Sequence, residues 1–476
     1  MTETSWRHII AQNAKERSVY ELSLKGKIPP GLQGTLYRNG PGIFKRQDLQ
    51  RTTLLDGDGM IQSFYVREGK VFYQAAFVKT PKFQAEEKAG HFKWRTWTTN
   101  APGGFLNNIG RIPSNQAGVS VWYKQEKLFA FDESTQPYVL DPHTLETQEK
   151  TNFGIQDQKI FYAAHPKWDP ETGEWLHFGL SYGFSMHADI TIFKKSGALE
   201  SHRRFKLPWV TYIHDWFVTK NHIIFLIHPV KISIFSFLLG GKTLRDAMSW
   251  NPERGNHVWV FPRYGPLGKP KVFETNANWM WHSLNAYEKG QDIVLDFLGY
   301  DGPGNFLGHS APLQLQPKER PQWNPSGLIR YCLSPQKGTL KREVLAFGGN
   351  NDFPATNPFG FGRKKHYGYY LHSDNPEHNF FNQLCRFNYQ TNAVDSYDFG
   401  PDILCLEPVF TTHANDKKDE SAFLLMQTQN LKPPFKGALH IFAARNIKDG
   451  PLATATLAHA SPMSFHGCWV PERRQA

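Results

Sequence analysis

Cysteine is scarce in this chain of 476 residues, which contains Cys332, Cys385, Cys405 and Cys468 and no others. These cysteines lie far apart and form no CxxC pair, which argues against a disulfide framework or a zinc ribbon and favours a reducing compartment. The first twenty residues lack the apolar core of a secretion signal, and no stretch approaches the roughly 20 apolar residues that span a bilayer. We therefore expect a cytoplasmic protein without a membrane-crossing helix.

Several enzyme signatures are also missing. The sequence has no Rossmann, P-loop, HExxH or GxSxG motif, so those enzyme classes lose their main sequence support. The formal net charge of +11 is typical of proteins that bind nucleic acid or an anionic membrane surface. The chain has no basic helix, zinc-finger spacing or aromatic RNA-binding signature, so we expect no nucleic-acid partner.

What the chain does contain is a repeated unit of two apolar strands joined by a turn. Each turn carries Gly, Asn, Pro or a charged residue where a hairpin has to reverse. The seven copies span residues 64–78, 138–153, 190–205, 258–273, 331–347, 385–399 and 440–457. None can bury its faces alone, so the repeat predicts an all-β fold: a seven-bladed propeller formed by one domain, residues 1–476. A sandwich with a second domain is the alternative, and the regular recurrence argues against it.

One His, Asp or Glu in an apolar or aromatic context follows six of the hairpins at a similar distance, and after the first hairpin a long insertion leads to Glu133. A constant offset past the outer hairpin leads to the inner strand of the next blade, so these side chains are expected to converge near the propeller axis. The set is Glu133, His165, His214, His282, Asp352, Glu407 and His466. Four neutral imidazoles around one point make a metal site that suits Fe(II), and the carboxylates would accept hydrogen bonds from the other ring nitrogens. Core packing is the alternative for each histidine.

The sequence resembles the carotenoid cleavage oxygenase family along nearly its whole length. The matching segments, in order, are LQGTLYRNGPG, DGDGM, AHPKWDPETG, IHDWFVT, WHSLNAYE, NDFP, EPVF and FHGCW. The resemblance implies a seven-bladed propeller with a helical or loop dome over the metal-containing face, formed by insertions. It also implies Fe(II) held by His165, His214, His282 and His466, with O2 as co-substrate and cleavage of a C=C bond into two carbonyl products.

Two acidic motifs depart from familiar patterns. The family's outer glutamates fall on Glu133 and Glu407, whereas the third position holds Asp352, which is one methylene shorter. We expect its histidine to move inward or a water to bridge the gap. The DGDG stretch at residues 56–59 does not fit a calcium loop and is interpreted as a tight turn.

The resemblance also bears on the substrate. In the stilbene-cleaving branch a phenol-binding lysine precedes the first outer glutamate, and here that position is Asp132, which counts against a stilbene. A long polyene needs an apolar tunnel, and the candidates for its lining are Tyr212, Trp216, Trp281 and Phe353; ordinary core packing is the alternative for each.

A short apolar stretch, ISIFSFLL at residues 232–239, is the strongest candidate for membrane contact. Basic residues flank it at Lys231, Lys242 and Arg245. We expect it to dip into one leaflet and draw in lipid-soluble substrate, the side chains being those of Ile232, Ile234, Phe235, Phe237, Leu238 and Leu239. A buried strand or short core helix is the alternative.

The sequence therefore predicts a monomeric, peripherally membrane-associated non-haem iron dioxygenase that cleaves a carotenoid or apocarotenoid, a lipophilic polyene. A stilbene-cleaving enzyme, an isomerising and ester-cleaving member of the same superfamily, and a metal-free binding scaffold remain as alternatives.

Overall fold

Antiparallel sheets account for most of the ordered backbone in the computed structural model, which describes residues 4–155, 160–182, 185–308, 311–317, 323–376, 380–411 and 422–472. Seven sheets of four or five strands are arranged as the blades of a propeller, and each contains one of the seven predicted hairpins. The predicted all-β propeller is confirmed.

The strands of the first four blades are ordered from the axis outward. Blade 1 contains His466–Pro471, Gly34–Pro41, Gly59–Arg67, Lys70–Phe77 and Arg17–Glu21. Blade 2 contains Ser120–Lys124, Lys127–Phe131, Tyr138–Leu140 and Thr147–Lys150. Blade 3 begins with two short inner strands, Phe161–Tyr162 and Lys167–Trp168, followed by Trp175–Ser181, His187–Phe193 and Leu199–Lys206. Blade 4 contains Phe217–Val218, His222–Ile227, Asn256–Pro262 and Lys271–Thr275.

The remaining three blades follow the same order. Blade 5 contains Trp279–Lys289, Asp292–Tyr300, Ser326–Ser334 and Thr339–Phe347. Blade 6 contains Asn350–Ala355, Tyr367–Ser373, Gln383–Asn388 and Val394–Asp398. Blade 7 contains Ile403–Thr411, Phe423–Asn430, Gly437–Ala443, Ala453–Thr456 and Ser23–Gly26.

Burial explains why the middle strands of a blade read as apolar runs. The strand His222–Ile227 is buried at five consecutive positions, because neighbouring blades cover both of its faces. The outermost strand of blade 3, Leu199–Lys206, instead alternates between partly buried and exposed side chains, which is the pattern of a half-buried strand. The core therefore lies between adjacent blades.

The ring is closed by strands from the two ends of the described chain. His466–Pro471 pairs with Gly34–Pro41 as the inner strand of blade 1, and Asn39 lies opposite His466. Ser23–Gly26 pairs with Ala453–Thr456 as the outermost strand of blade 7. A histidine so near the end of the sequence is thus fixed at the axis by a ladder of backbone hydrogen bonds.

The dome consists of three insertions, of which the structure describes residues 78–119, 228–255 and, in the third, 301–308, 311–317 and 323–325. The dome is mostly loop. Its regular elements are the helices Pro81–Ala89 and Ile234–Leu238 and the hairpin of Val230–Ile232 with Met248–Trp250. Two further elements, helix Thr4–Ile10 and the hairpin of Lys45–Arg46 with Leu49–Gln50, belong neither to the dome insertions nor to the blades. Side chains from all three insertions pack into one apolar cluster, which we call the dome cluster, together with residues at the adjoining ends of blades 4 and 5. It contains Trp97, Tyr212, Val230, Ile232, Phe237, Leu244, Ala247, Trp279, Trp281, Tyr300 and Phe306.

The DGDG stretch, predicted to be a tight turn, leads from the end of a short 3-10 helix into the strand Gly59–Arg67, and its buried carboxylates attach the dome to blade 1. Asp56 ends a short 3-10 helix and accepts hydrogen bonds from the backbone N–H of Thr98 (3.0 Å) and the hydroxyl of Thr99 (2.7 Å). Asp58 lies 2.6 Å from the ammonium group of Lys82, and both side chains are almost fully buried. The motif therefore fixes the first insertion over the axis.

Candidate metal centre

Four imidazole rings from four regions of the sequence converge at the axis. The Nε2 atoms of His165 and His214 are 2.9 Å apart, those of His214 and His282 are 3.3 Å apart, and those of His282 and His466 are 3.2 Å apart. All four ligand atoms lie within 4.8 Å of one another. We call these residues the four-histidine cluster.

The rings are not arranged as a regular tetrahedron. His214 and His466 have their ring centroids 6.2 Å apart, whereas the other pairs are separated by 4.5 to 5.2 Å. One pair therefore lies on opposite sides of the centre and the remaining rings lie between them. Structural zinc sites are almost always tetrahedral, so this pattern does not favour structural zinc.

The backbone is irregular where these side chains are displayed. His165 lies in the gap between the two short inner strands of blade 3, and His214 comes three residues before the inner strand of blade 4. In blade 5 the strand pairing shifts register on both sides of Ser283, next to His282. Bulges of this kind re-aim side chains and are common beside active sites.

Each of the three predicted carboxylates hydrogen-bonds to the outer nitrogen of one imidazole. The distance from Nδ1 to the carboxylate is 3.0 Å for His214 and Glu133, 2.7 Å for His282 and Asp352, and 2.8 Å for His466 and Glu407. Asp352 reaches its histidine directly, so the expected water bridge is not needed. His165 has no carboxylate partner among the described residues, which agrees with three carboxylates for four rings.

Glu133 differs from the prediction in its position. It does not lie on an inner strand but in the loop after the second strand of blade 2, Lys127–Phe131, and its φ of +60° is in the left-handed region. Phe353, directly after Asp352, has a φ of +52°. Such backbone conformations cost free energy in residues other than glycine and cluster at functional sites.

Behind each carboxylate lies a second donor that sequence reasoning missed. Tyr212 donates its hydroxyl hydrogen to Glu133 (2.6 Å), and Tyr300 donates to Asp352 (2.7 Å). Glu407 accepts from the guanidinium of fully buried Arg38 at 2.7 Å. Arg38 lies in the RNGPG segment, which matched the family in the sequence. Residue spacing, however, could not predict that its partner is Glu407.

The protonation of the rings follows from burial and from these carboxylates. Burial, reinforced by the neighbouring imidazoles, holds the pKa of His165 well below its usual value. Burial also lowers the pKa of His466, although Glu407 opposes the shift. Burial opposes the charged form of His282 as well, but the Asp352 carboxylate outweighs it and raises the pKa of His282.

The charges of the buried side chains around the rings fit a divalent cation. With neutral imidazoles, the three carboxylates of Glu133, Asp352 and Glu407 carry three negative charges, and the guanidinium of Arg38 carries one positive charge. Two negative charges therefore remain uncompensated. Two nitrogens that bind one ion at about 2.1 Å and at right angles are about 3 Å apart, close to the separations of these imidazoles. Imidazole donors suit Fe, Zn, Cu or Ni.

The four predicted tunnel residues lie in different surroundings. Tyr212 and Trp281 belong to the dome cluster, and the Trp281 ring lies 5.0 Å from that of His214. Phe353 stacks on His282 at 5.2 Å. Trp216 is fully buried against Phe178 between blades, and its indole N–H donates to the His165 carbonyl at 2.9 Å. Trp216 thus packs in the core and holds the backbone of His165.

The predicted membrane stretch is partly wrong. Phe235, Leu238 and Leu239 are exposed, but Ile232 and Phe237 are buried, and so is Arg245 of the basic flank. A second segment, missed in the sequence because its apolar residues are scattered, lies against it: Gly110 donates its backbone N–H to the Leu238 carbonyl. Its exposed side chains are those of Phe105, Leu106, Ile109 and Ile112.

We call these seven exposed side chains the apolar patch. Buried Arg95 joins its two segments, donating to the carbonyls of Asn108 (3.0 Å) and Lys242 (2.7 Å). Lys231, Lys242 and Arg111 are exposed near its edge. No helix in the described part of the chain is long and apolar enough to cross a membrane.

On the face opposite the dome, the blades enclose a cavity of about 1340 Å³. Three of the four rings, those of His165, His282 and His466, contribute to its lining, together with Lys167 and Asp215. The lining comes from the blades and not from the three dome insertions. The four-histidine cluster therefore borders this cavity on one side, and the aromatic side chains of the dome cluster cover it on the other.

Comparison with known proteins agrees with this geometry. The family model described as "Retinal pigment epithelial membrane protein" matches residues 10–471. The chain is 28% identical to isoeugenol monooxygenase of Pseudomonas putida over 95% of each chain, and 26% identical to apocarotenoid-15,15'-oxygenase of Synechocystis over 98% of this chain and 96% of that one. The solved structure of a Synechocystis ACO mutant superposes with a TM-score of 0.90 at 25% identity, covering 99% of both chains.

Proposed function

The chain belongs to the retinal pigment epithelial membrane protein family, whose members include carotenoid cleavage oxygenases, and we propose that it is a non-haem iron dioxygenase that cleaves a C=C bond of an apocarotenoid or carotenoid. The observation that carries the proposal is the four-histidine cluster with its three carboxylates. The iron would be held by His165, His214, His282 and His466.

When bound, iron in such a site supplies a centre at which dioxygen is activated. The protein's own side chains prepare that centre. Because Glu133, Asp352 and Glu407 accept from Nδ1–H of their imidazoles, each of those rings keeps a lone pair on Nε2 directed to the shared centre. Tyr212, Tyr300 and Arg38 in turn hold the carboxylates in place.

The surroundings of the cluster support an apolar substrate. Trp281 and Tyr212 connect the rings to the dome cluster, and Ile234, at the base of the apolar patch, packs against that cluster. Apolar side-chain contacts are thus continuous from the apolar patch to the candidate metal centre, which supports entry of an apolar substrate from this side. We infer that the patch rests on a membrane surface, its basic edge against anionic headgroups, and that a lipophilic polyene enters there.

Cleavage of a phenylpropanoid is the second candidate. It is favoured by the similarity to isoeugenol monooxygenase over 95% of both chains. Against a stilbene stands Asp132, whose side chain is buried where the stilbene-cleaving branch has a lysine. An apolar patch suited to a membrane surface is more useful to an enzyme whose substrate is a lipophilic polyene, because a small phenol does not have to be drawn from a membrane.

Product identification tests both candidates. The iron-loaded protein is incubated under ¹⁸O2 with carotenoids, apocarotenals, a stilbene and isoeugenol, and the products are identified by mass. We expect labelled aldehyde or ketone from the polyenes and none from a His282→Ala variant. Cleavage of isoeugenol or the stilbene alone would select the second candidate, and the absence of any cleavage product with stoichiometric iron would overturn both.

A further inference from the structure

Three of the four ligand-bearing segments are joined by a charged network on the cavity side of the cluster. Lys167, Asp215 and Ser283 follow His165, His214 and His282 by two, one and one residue. The Lys167 ammonium donates to Asp215 at 2.6 Å and to the Ser283 hydroxyl at 3.0 Å. Ser283 donates to Asp215 through both its backbone N–H (2.7 Å) and its hydroxyl (2.6 Å).

This network connects blades 3, 4 and 5 where the pairing of their inner strands is interrupted or shifts register. His165 lies between two short strands, His214 precedes its strand, and the pairing shifts register around Ser283. The local backbone ladder therefore does not fix the three imidazoles relative to one another. Asp215, at 2% exposure, receives donors from Lys167, Ser283 and the Trp216 backbone, which leaves it little freedom to move.

We propose that Lys167, Asp215 and Ser283 are positioning residues that set the separation of His165, His214 and His282 and thereby the affinity and geometry of the metal site. The inference rests on the proposed metal site and assigns residues that touch neither the metal nor the substrate. A nucleophilic role for Ser283 does not fit, since a Ser–Lys pair needs the hydroxyl directed at the lysine nitrogen, whereas the Ser283 hydroxyl donates to Asp215.

The network could also change metal affinity through the electric charges of Lys167 and Asp215. The opposite signs of these charges distinguish this explanation from positioning. Removing Lys167 leaves an unpaired carboxylate, which attracts a cation. Removing Asp215 leaves an unpaired ammonium, which repels it. Positioning predicts that both changes weaken metal binding, whereas electrostatics predicts opposite effects that cancel in the double variant.

The test uses the variants Lys167→Met, Asp215→Asn, their double and Ser283→Ala, and measures the Kd for Co²⁺ and the visible spectrum of the cobalt form. A matched control exists in blade 5, where Arg330 and Asp296 form a pair with nearly the same exposure, 16% and 1% against 19% and 2%. The control is the double variant Arg330→Met and Asp296→Asn, with unfolding by urea measured on all proteins.

We expect every network variant to weaken Co²⁺ binding, the charged ones by about 10-fold or more, with an altered spectrum. The control should lose stability but keep the wild-type Kd and spectrum. Ser283→Ala keeps both charges and stays informative if a charged variant fails to fold. Tighter binding by Lys167→Met with a near wild-type double variant would overturn the proposal, as would unchanged Kd and spectrum throughout. If the wild-type protein binds no Co²⁺, or His282→Ala binds it equally well, the metal site itself fails.

Discussion

The carboxylate of Asp352 lies 2.7 Å from Nδ1 of His282, the distance of a direct hydrogen bond. Aspartate is one methylene shorter than the glutamate expected at this position. The strand that carries Asp352 shifts its pairing register directly after this residue, and its backbone brings the carboxylate within reach of the ring. Tyr300 donates to the other carboxylate oxygen at 2.7 Å and fixes its orientation.

Replacing Asp352 by asparagine should weaken iron binding by about 10- to 100-fold, because the uncharged amide is a poorer acceptor for the imidazole N–H. Iron content after dialysis against a graded chelator measures the effect. Tyr300→Phe, which keeps the carboxylate and removes one donor, should have a smaller effect in the same direction. Equal iron retention by Asp352→Asn and the wild-type protein would show that this carboxylate does not support the ring.

Arg38→Met should destabilise the fold by about 3 kcal/mol, because Glu407, whose side chain is only 15% exposed, would lose its one cationic partner. Arg38→Lys should recover little of this loss, since lysine cannot reproduce the separate hydrogen bonds to Glu407, Ser464 and the Phe465 carbonyl. Unfolding by urea gives the values. As a control, Arg67→Met removes an exposed pair with Glu68 and should change stability by less than about 1 kcal/mol.

Glutamate in place of Phe235 or Leu106 should abolish binding to vesicles that contain anionic phospholipid, since both side chains are exposed in the apolar patch. Flotation of the protein with the vesicles measures binding. Phe347→Glu is the matched control, because Phe347 is 67% exposed at the outer edge of blade 5, away from the patch. If all three variants float like the wild-type protein, the patch is not the membrane contact.

Asp132, which directly precedes Glu133 in the sequence, gives a pH-dependent prediction. Burial raises the pKa of this carboxyl group to about 7, and one carboxylate oxygen has no hydrogen-bond partner among the described residues. The folded protein therefore binds a proton that the unfolded chain releases near pH 4, so the stability contribution of Asp132 falls as pH rises from about 4 to about 7.

Asparagine at position 132 mimics the protonated form at every pH. The Tm of Asp132→Asn should exceed that of the wild-type protein at pH 8, and the difference should shrink as the pH is lowered towards 5. Asp301→Asn, at an exposed loop position, serves as the control and should show no such trend. A Tm difference that does not vary with pH would contradict the raised pKa.

The sequence was most informative where one physical pattern repeats. All seven hairpins were found because each combines two apolar runs with a turn, and all seven form the outer part of a blade. Six of the seven chemical residues could be selected because each follows its hairpin at a similar offset, whereas Glu133 follows the first hairpin after a long insertion; the structure brings all seven together.

Features that depend on long-range contacts were not accessible in this way. Glu133 reaches His214 from a loop with a positive φ, which no strand periodicity indicates. Other supporting residues are ordinary polar side chains whose partners lie 48 or more positions away along the chain. They are Tyr300, Arg38 and the network of Lys167, Asp215 and Ser283. Phe237 was predicted to contact the membrane, but it is buried against the guanidinium of Arg95. Hydrophobicity alone does not reveal which side of a short helix packs against the protein.

Closure of blade 1 by its C-terminal strand has a consequence for biosynthesis. His466 takes its place at the axis only when residues 466–471 pair with residues 34–41, which were made more than four hundred residues earlier. A nascent chain still lacking that strand can hold at most three of the four imidazoles. On the proposed function, iron would be acquired only after translation has passed the last ligand, and the growing polypeptide would be spared a half-built oxidising centre.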